Sequence, residues 1–331
     1  MKQTSDGSTC RRSHPRVSAI LILLVLLLCF LLTLFNSLSL AADEETPRPE
    51  SPTSDYRSEA ERLLTLLSTW GDPATREGLY RMYKDPEAVK WFRQAAEQGD
   101  AVSQLMLGRM LVRGLEVPKD EREAVKWYEK AADQGNSIAQ NNLGRMYEKG
   151  LGVVRDQEEA VKWYRKSADQ GNAKAQNSLG RMYAHGSGVD KNYAEAVKWY
   201  TKAAEQGNVH AQSNLAHMYK KGYGVPKDYE EAAKWHKKAA ELGSAYSQAR
   251  LGWMYKNGYG VLKDYEESVK WIKKAVQQGN AFAQAKLGYM YKNGYGVPKD
   301  RNEAIMWYKM AADKGNEFAR KELHKLGVAD N

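Results

Sequence analysis

Seven tryptophans, Trp91, Trp127, Trp163, Trp199, Trp235, Trp271 and Trp307, stand at a constant interval of 36 residues. A fixed period of that size marks stacked supersecondary units, each too small to bury its apolar face alone and stabilised by its neighbours. The chain is therefore expected to grow by repetition instead of folding around one central core.

One unit shows the physics of all. Residues 137–149 carry Ala139, Leu143, Met146 and Tyr147 at i, i+4, i+7 and i+8, a single stripe of an amphipathic helix, here called helix A. Residues 157–170 carry Ala160, Trp163, Tyr164 and Ser167 at i, i+3, i+4 and i+7, the stripe of a second helix, helix B. Before each helix B stands a cap residue, Asp120, Asp156, Asn192, Asp228, Asp264 or Asp300. Glu123, Glu159, Glu195, Glu231, Glu267 and Glu303 follow three residues later, the spacing of a capping box. Helix A has caps of its own in Asp100, Asn136, Asn172, Asn208, Ser244, Asn280 and Asn316, each preceded by a glycine suited to closing the helix before it.

A Gly-x-Gly-Val turn joins the two helices, as in Gly150-Leu151-Gly152-Val153. No strand precedes it and no Gly-Lys-Ser/Thr follows, so it reads as a turn and not a phosphate loop. Gly108, Gly144, Gly180, Gly252 and Gly288 lie in the middle of helix A, with Ala216 in the remaining copy. A glycine there costs about 1 kcal/mol against alanine, which implies that a neighbouring helix or a tryptophan ring needs the space.

The combined motif, Ala-x-x-x-Leu-Gly-x-Met-Tyr-x-x-Gly-x-Gly-Val and then Ala-x-x-Trp-Tyr-x-x-Ala-Ala-x-x-Gly, resembles the Sel1-like repeat, a relative of the tetratricopeptide repeat with a longer inter-helix turn. The resemblance covers roughly residues 75–327. It implies an all-α fold, a right-handed superhelical solenoid of antiparallel helix pairs with helix A on the concave side, and a role in assembling other proteins.

The organisation follows in order. Residues 1–16 are polar and basic, and residues 17–35 carry no charge and are dominated by leucine. That length fits a membrane-spanning anchor, the favoured reading, while Ser39-Leu40-Ala41 before Ala42 offers a signal-peptide cleavage site as the alternative. Both place the repeats outside the cytoplasm, in a bacterial periplasm if the anchor is retained or in the medium if it is cut near Ala41. Residues 43–57 read as an acidic, proline-bearing flexible linker. Residues 58–99 hold an N-terminal capping helix, with Ser58 and Glu61 as its capping box, and one shortened repeat. Six repeats run over 101–135, 137–171, 173–207, 209–243, 245–279 and 281–315, and a closing helix occupies 317–327. Cys10 and Cys29 are the two cysteines, so the exported part has no disulfide available.

Where the copies agree they describe the scaffold, so function is sought where they differ. One column on helix A runs Arg109, Arg145, Arg181, His217, Trp253, Tyr289; another, three residues earlier, runs Met106, Asn142, Ser178, Asn214, Arg250, Lys286. Positions three apart share a helix face. Asn142, Arg145, Ser178, Arg181, Asn214, His217, Arg250, Trp253, Lys286 and Tyr289 are accordingly the candidate partner-binding residues. Their chemistry suits an extended or helical protein segment with acidic groups. The net charge of +9 accords with that partner or with anionic lipid, and an exported chain is not expected to meet nucleic acid.

No catalytic, metal or cofactor residue is expected. The chain has no His-Glu-x-x-His and no Cys/His metal pattern, and His210 and His217 share a helix face only as surface variation. Some cysteine-rich proteins with similar repeats are β-lactamases; this chain lacks their paired cysteines and any Ser-x-x-Lys. The runner-up function is a secreted or surface factor that binds a host or neighbouring-cell protein.

Overall fold

The computed structural model describes residues 56–63 and 73–328. The apolar span at 17–35, the cleavage site at Ala41 and most of the linker lie outside the described residues. Within them no helix is long and apolar enough to cross a membrane. Residues 56–63 are helical, so Tyr56 and Arg57 already belong to a helix, and Ser58 sits inside it instead of capping it.

Fifteen further helices follow, and no strand occurs among the described residues: α1 Pro73–Lys84, α2 Pro86–Glu97, α3 Ala101–Arg113, α4 Glu121–Asp133, α5 Ser137–Lys149, α6 Gln157–Asp169, α7 Ala173–His185, α8 Tyr193–Glu205, α9 Val209–Lys221, α10 Tyr229–Glu241, α11 Ala245–Asn257, α12 Tyr265–Gln277, α13 Ala281–Asn293, α14 Arg301–Asp313 and α15 Glu317–Lys325. Odd-numbered helices from α3 to α13 are the A helices of the full repeats, and even-numbered helices from α4 to α14 are the B helices. Each helix packs chiefly on the one before it and the one after it, the contact pattern of a helical solenoid.

The caps form as the sequence requires, with one difference. Asp120 accepts from the backbone N–H groups of Arg122 and Glu123, both at 2.9 Å, and Asp156 from that of Glu159 at 2.9 Å. The reciprocal half of the capping box is replaced. The N–H of Asp156 donates to the Tyr147 carbonyl at 3.0 Å, and that of Asp228 to the Tyr219 carbonyl at 3.0 Å, so the cap's own donor is satisfied by the end of helix A. The released glutamates bind elsewhere: Glu159, Glu195, Glu231 and Glu267 pair with a lysine three residues on, while Glu123 and Glu303 accept from the indole N–H of Trp127 and Trp307.

Four of the five mid-helix glycines make room for a tyrosine ring, not a tryptophan, and the fifth, Gly252, faces Ile272. A Cβ on Gly144 would lie 2.8 Å from Cδ1 of Tyr164, and one on Gly108 2.7 Å from Cε1 of Tyr128. Helix B therefore lays its tyrosine directly on the backbone of helix A. The tryptophans stand beside this contact, buried or half-buried, and most carry a lysine ammonium over the indole face, as Lys166 does over Trp163 at 3.9 Å. In the turn, Gly260 has φ +67° and a Cβ there would meet the Tyr229 carbonyl oxygen at 1.9 Å, so the second glycine of Gly-x-Gly is fixed by the preceding repeat.

Successive repeats are tied by a row of buried glutamines on helix A. The side-chain amides of Gln104, Gln140, Gln176, Gln212 and Gln248 donate to the carbonyls of Ala96, Ala132, Ala168, Ala204 and Ala240 at 3.0 to 3.2 Å. The Oε1 atoms of Gln104, Gln140, Gln176 and Gln248 accept from Gln134, Gln170, Gln206 and Gln278 at 2.7 to 2.8 Å. Leu242 stands where the next donor should be, and Gln212 Oε1 is left buried without a partner.

The same repeat departs from the consensus at the helix contact, with Ala216 for glycine and His236 for tyrosine. His236 is 2% exposed, and its Nδ1 lies 3.2 Å from Ser247 Oγ. Burial, reinforced by the charges of Arg250, Lys220 and His217, pushes its pKa down to about 3.

Two outcomes follow from this defective repeat. Leu242→Gln should supply the missing donor and raise stability by about 1 kcal/mol, read from the urea midpoint. His236 stays neutral when folded but protonates near pH 6.5 when unfolded, so its contribution is intact above that pH and is lost as pH falls from about 6.5 toward 3. Between pH 7 and pH 5 the wild type should lose about 2 kcal/mol more than Ala216→Gly/His236→Tyr, in which the titrating ring is gone.

Candidate functional site

The two variable columns occupy one face of the A helices, but the copies differ in what they offer. In the first full repeat Met106 is fully buried, and Arg109 is buried with its guanidinium 5.9 Å from the ring of Tyr83. Neither is open to a partner.

In the next two repeats the charges are partly used internally. Arg181 Nη2 bonds both carboxylate oxygens of Glu148, at 2.7 and 2.9 Å, and the Tyr164 hydroxyl donates to the same carboxylate at 2.6 Å. This triad links α5, α6 and α7, so Arg181 holds repeats together as well as facing outward. Ser178 adjoins the Tyr164 hydroxyl. Asn142 is half-buried and Arg145 exposed. Asn214 donates to Asn177 Oδ1 at 3.0 Å, and exposed His217 stands edge-on to Tyr223 with ring centroids 6.2 Å apart.

The last repeats are different. Arg250 lies 5.0 Å from the ring centre of Tyr246 and 4.6 Å from that of Phe282. The Lys286 ammonium lies 4.1 Å from Trp253, 5.0 Å from Phe282 and 4.5 Å from Phe318. Lys256 lies 4.8 Å from Trp253 and 5.1 Å from both Tyr289 and Tyr295. Trp253 and Tyr289 meet edge to face with ring centroids 6.3 Å apart, and Tyr289 and Phe318 lie tilted at 6.3 Å. The structure thus brings Arg250, Trp253, Lys286 and Tyr289 into one continuous cation–aromatic surface across α11, α13 and α15. It does not join them to Asn142, Arg145 or Ser178.

The electrostatics of this surface are unbalanced. Among the described residues Lys220, Arg250, Lys256 and Lys286 make no ion pair, while Glu322 is held by Lys292 and Lys325, both at 2.6 Å. Desolvation, with repulsion from Arg250 and Lys256, lowers the Lys286 pKa to about 8, and desolvation with neighbouring Arg250 lowers that of Lys220.

Two further columns belong to the surface, and the pair of columns followed in the sequence missed them. One runs Val112, Glu148, Ala184, Lys220, Lys256, Lys292; the other ends in Tyr246, Phe282, Phe318. Their signal was present as a change from glutamate to lysine, and from aliphatic or polar to aromatic, toward the C-terminal copies. A row of stacked tyrosines borders the surface: Tyr193 on Tyr223 at 4.7 Å, Tyr229 on Tyr259 at 5.3 Å and Tyr265 on Tyr295 at 4.9 Å. Among the described residues no group of three or more His, Cys, Asp or Glu side chains is placed to hold a metal ion.

The Sel1 repeat family model matches seven consecutive segments, residues 77–100, 101–136, 137–172, 173–208, 209–244, 245–280 and 281–316. No curated protein sequence matches the chain. Among solved structures, it is similar to a protective antigen present in uropathogenic Escherichia coli strains, with 39% identity, a TM-score of 0.69 and coverage of 82% of this chain and 61% of that one. The chain therefore spans less than two thirds of that relative's length. It is also similar to a Sel1 repeat protein from Oxalobacter formigenes, with 36% identity, a TM-score of 0.63 and coverage of 78% of this chain and 99% of that one. The seven matched segments and the glycine–tyrosine helix pairs they contain establish that this chain belongs to the Sel1 repeat family.

Proposed function

We propose that this Sel1 repeat protein is an exported, membrane-anchored scaffold that binds protein partners through the face of its A helices, the expected concave side. The observation that carries the reading is the concentration of exposed and half-buried Arg, Lys, Trp and Tyr on that face, where Arg250, Lys256 and Lys286 make no ion pair among the described residues. An open row of anchors of this kind suits recognition of a polypeptide better than capture of a small molecule. Repeat proteins use such extended surfaces for partners.

Export rests on the uncharged residues 17–35 behind a basic segment. The partner is expected to carry acidic groups, because the candidate residues are cationic or amide-bearing. A second reading, a secreted or surface factor acting on another cell, draws support from the relative described as a protective antigen. No catalytic residue is assigned.

Cell fractionation with N-terminal sequencing separates the two. The anchored form should remain with membranes and keep its first residues, whereas a chain beginning near Ala42 in the medium would favour the second reading. A photo-crosslinker at Arg145 or Tyr289 should form adducts with a partner protein, and one at Lys198 or Lys309 on the B helices should not. Equal yields from both faces would remove the assignment of binding to the A helices.

A further inference from the structure

The methionines of this chain fall into two chemical populations. Among the described residues eight are buried, at 9% exposure or less, and they include the row Met146, Met182, Met218, Met254 and Met290 along the A helices. Met306 and Met310, by contrast, are 42% and 40% exposed. They stand four residues apart on α14 and so share one face of that helix.

The other repeats show what those two positions tolerate. In each of the five preceding full repeats both hold an exposed lysine, as in Lys162 and Lys166 of α6 or Lys270 and Lys274 of α12. Lys162 and Lys270 pair with Glu159 and Glu267, at 2.9 and 3.0 Å. Lys166 and Lys274 lie over the indoles of Trp163 and Trp271, at 3.9 and 4.3 Å from the ring centres. In α14 the glutamate, Glu303, accepts instead from the indole N–H of Trp307 at 2.9 Å, and two thioethers take the place of the two lysines. The helices α6, α12 and α14 are each 13 residues long and each starts from an aspartate cap. A long polar side chain therefore fits both positions on the same backbone.

That tolerance matters because a thioether can change its polarity by oxidation. A lone pair on sulfur attacks one oxygen of hydrogen peroxide, the O–O bond breaks, and the hydroxide released takes the proton left on the new S–O group and departs as water. Sulfur is oxidised to the sulfoxide and the peroxide is reduced. At Met146 or Met254 the S–O dipole would be buried among apolar side chains, which is costly. At Met306 and Met310 it would face water, as the lysines of the other copies do.

We propose that Met306 and Met310 form an oxidative modification site, at which hydrogen peroxide or a related two-electron oxidant makes two methionine sulfoxides in the folded protein. They react ahead of the other described methionines, reversibly and without disturbing the stack. The modification turns the exposed face of α14 from apolar to polar, while the methionine row that packs the A helices stays reduced. The assignment is independent of what the A-helix face binds.

The test treats the full chain in detergent micelles with hydrogen peroxide at neutral pH and follows each methionine by peptide mass spectrometry. Met306 and Met310 should gain oxygen at least about tenfold faster than Met146 or Met254, in line with the difference in exposure. The doubly oxidised chain should keep the circular dichroism melt of the reduced one, and methionine sulfoxide reductase should remove both oxygens. Met306→Lys/Met310→Lys, which installs the residues of the other repeats, should abolish the early oxygen uptake and leave the melt unchanged. Oxidation of Met146 or Met254 as fast as the α14 pair would overturn the proposal. So would a melt lowered by oxidation confined to that pair, or a double variant that loses its fold, since either result would show that these positions do not tolerate polar groups.

Discussion

The close approach of helix A to helix B, with a tyrosine ring laid on a glycine, is the contact from which the rest of the stack follows. A glycine in mid-helix sacrifices about 1 kcal/mol of helix propensity. The gain is a flat, buried ring in contact with backbone, which removes water from both helices and fixes their separation. Once that separation is set, the leucine and methionine rows of helix A, such as Leu143 and Met146, fall at full burial, and the turn must bend on left-handed glycines to bring helix B back. The tryptophan that marks the period in the sequence is secondary in this geometry, since it covers the pair from the side.

Between pairs, specificity comes from polar groups. Gln104, Gln140, Gln176 and Gln248 each tie the preceding helix B to the end of their own, and an amide with both ends bonded holds a register that apolar side chains alone leave free to slide. The repeat over 209–244 lacks three of these devices at once, having Ala216 for glycine, His236 for tyrosine and Leu242 for glutamine. It is the place where the stack spends least on its own cohesion, and local opening concentrates where buried contacts and satisfied polar groups are fewest. Toward the N-terminus of this joint, Arg181 is matched with Glu148. Toward the C-terminus, Arg250, Lys256 and Lys286 lie on aromatic rings with no ion pair among the described residues.

That asymmetry gives the surface its character. Cation–aromatic contacts hold the cations in place without neutralising them, so their charge remains available while their desolvation is partly met. Internal ion pairs, by contrast, consume the charge they contain. A scaffold of nearly identical repeats therefore presents an end where Arg181 is paired internally with Glu148 and an end where Arg250, Lys256 and Lys286 rest on aromatic rings.

The periodicity, the caps and the turns were legible in the sequence because they are local: a helix cap, a left-handed glycine and an amphipathic stripe each depend on residues within one or two turns of chain. Asn136 before Ser137 and Gly150 after Lys149 mark the ends of α5 with no knowledge of anything else. The sequence also placed Arg250, Trp253, Lys286 and Tyr289 on one face, since positions three apart on a helix share a side. What only the tertiary structure decided are the contacts between residues about 16 to 36 apart. It chose tyrosine over tryptophan as the partner of the mid-helix glycine in four of five copies and withdrew Arg109 into the interior. It also used Arg181 on Glu148 while leaving Lys286 unpaired, because the balance of charge at a helix face is set by the neighbouring repeat and not by the helix that carries it.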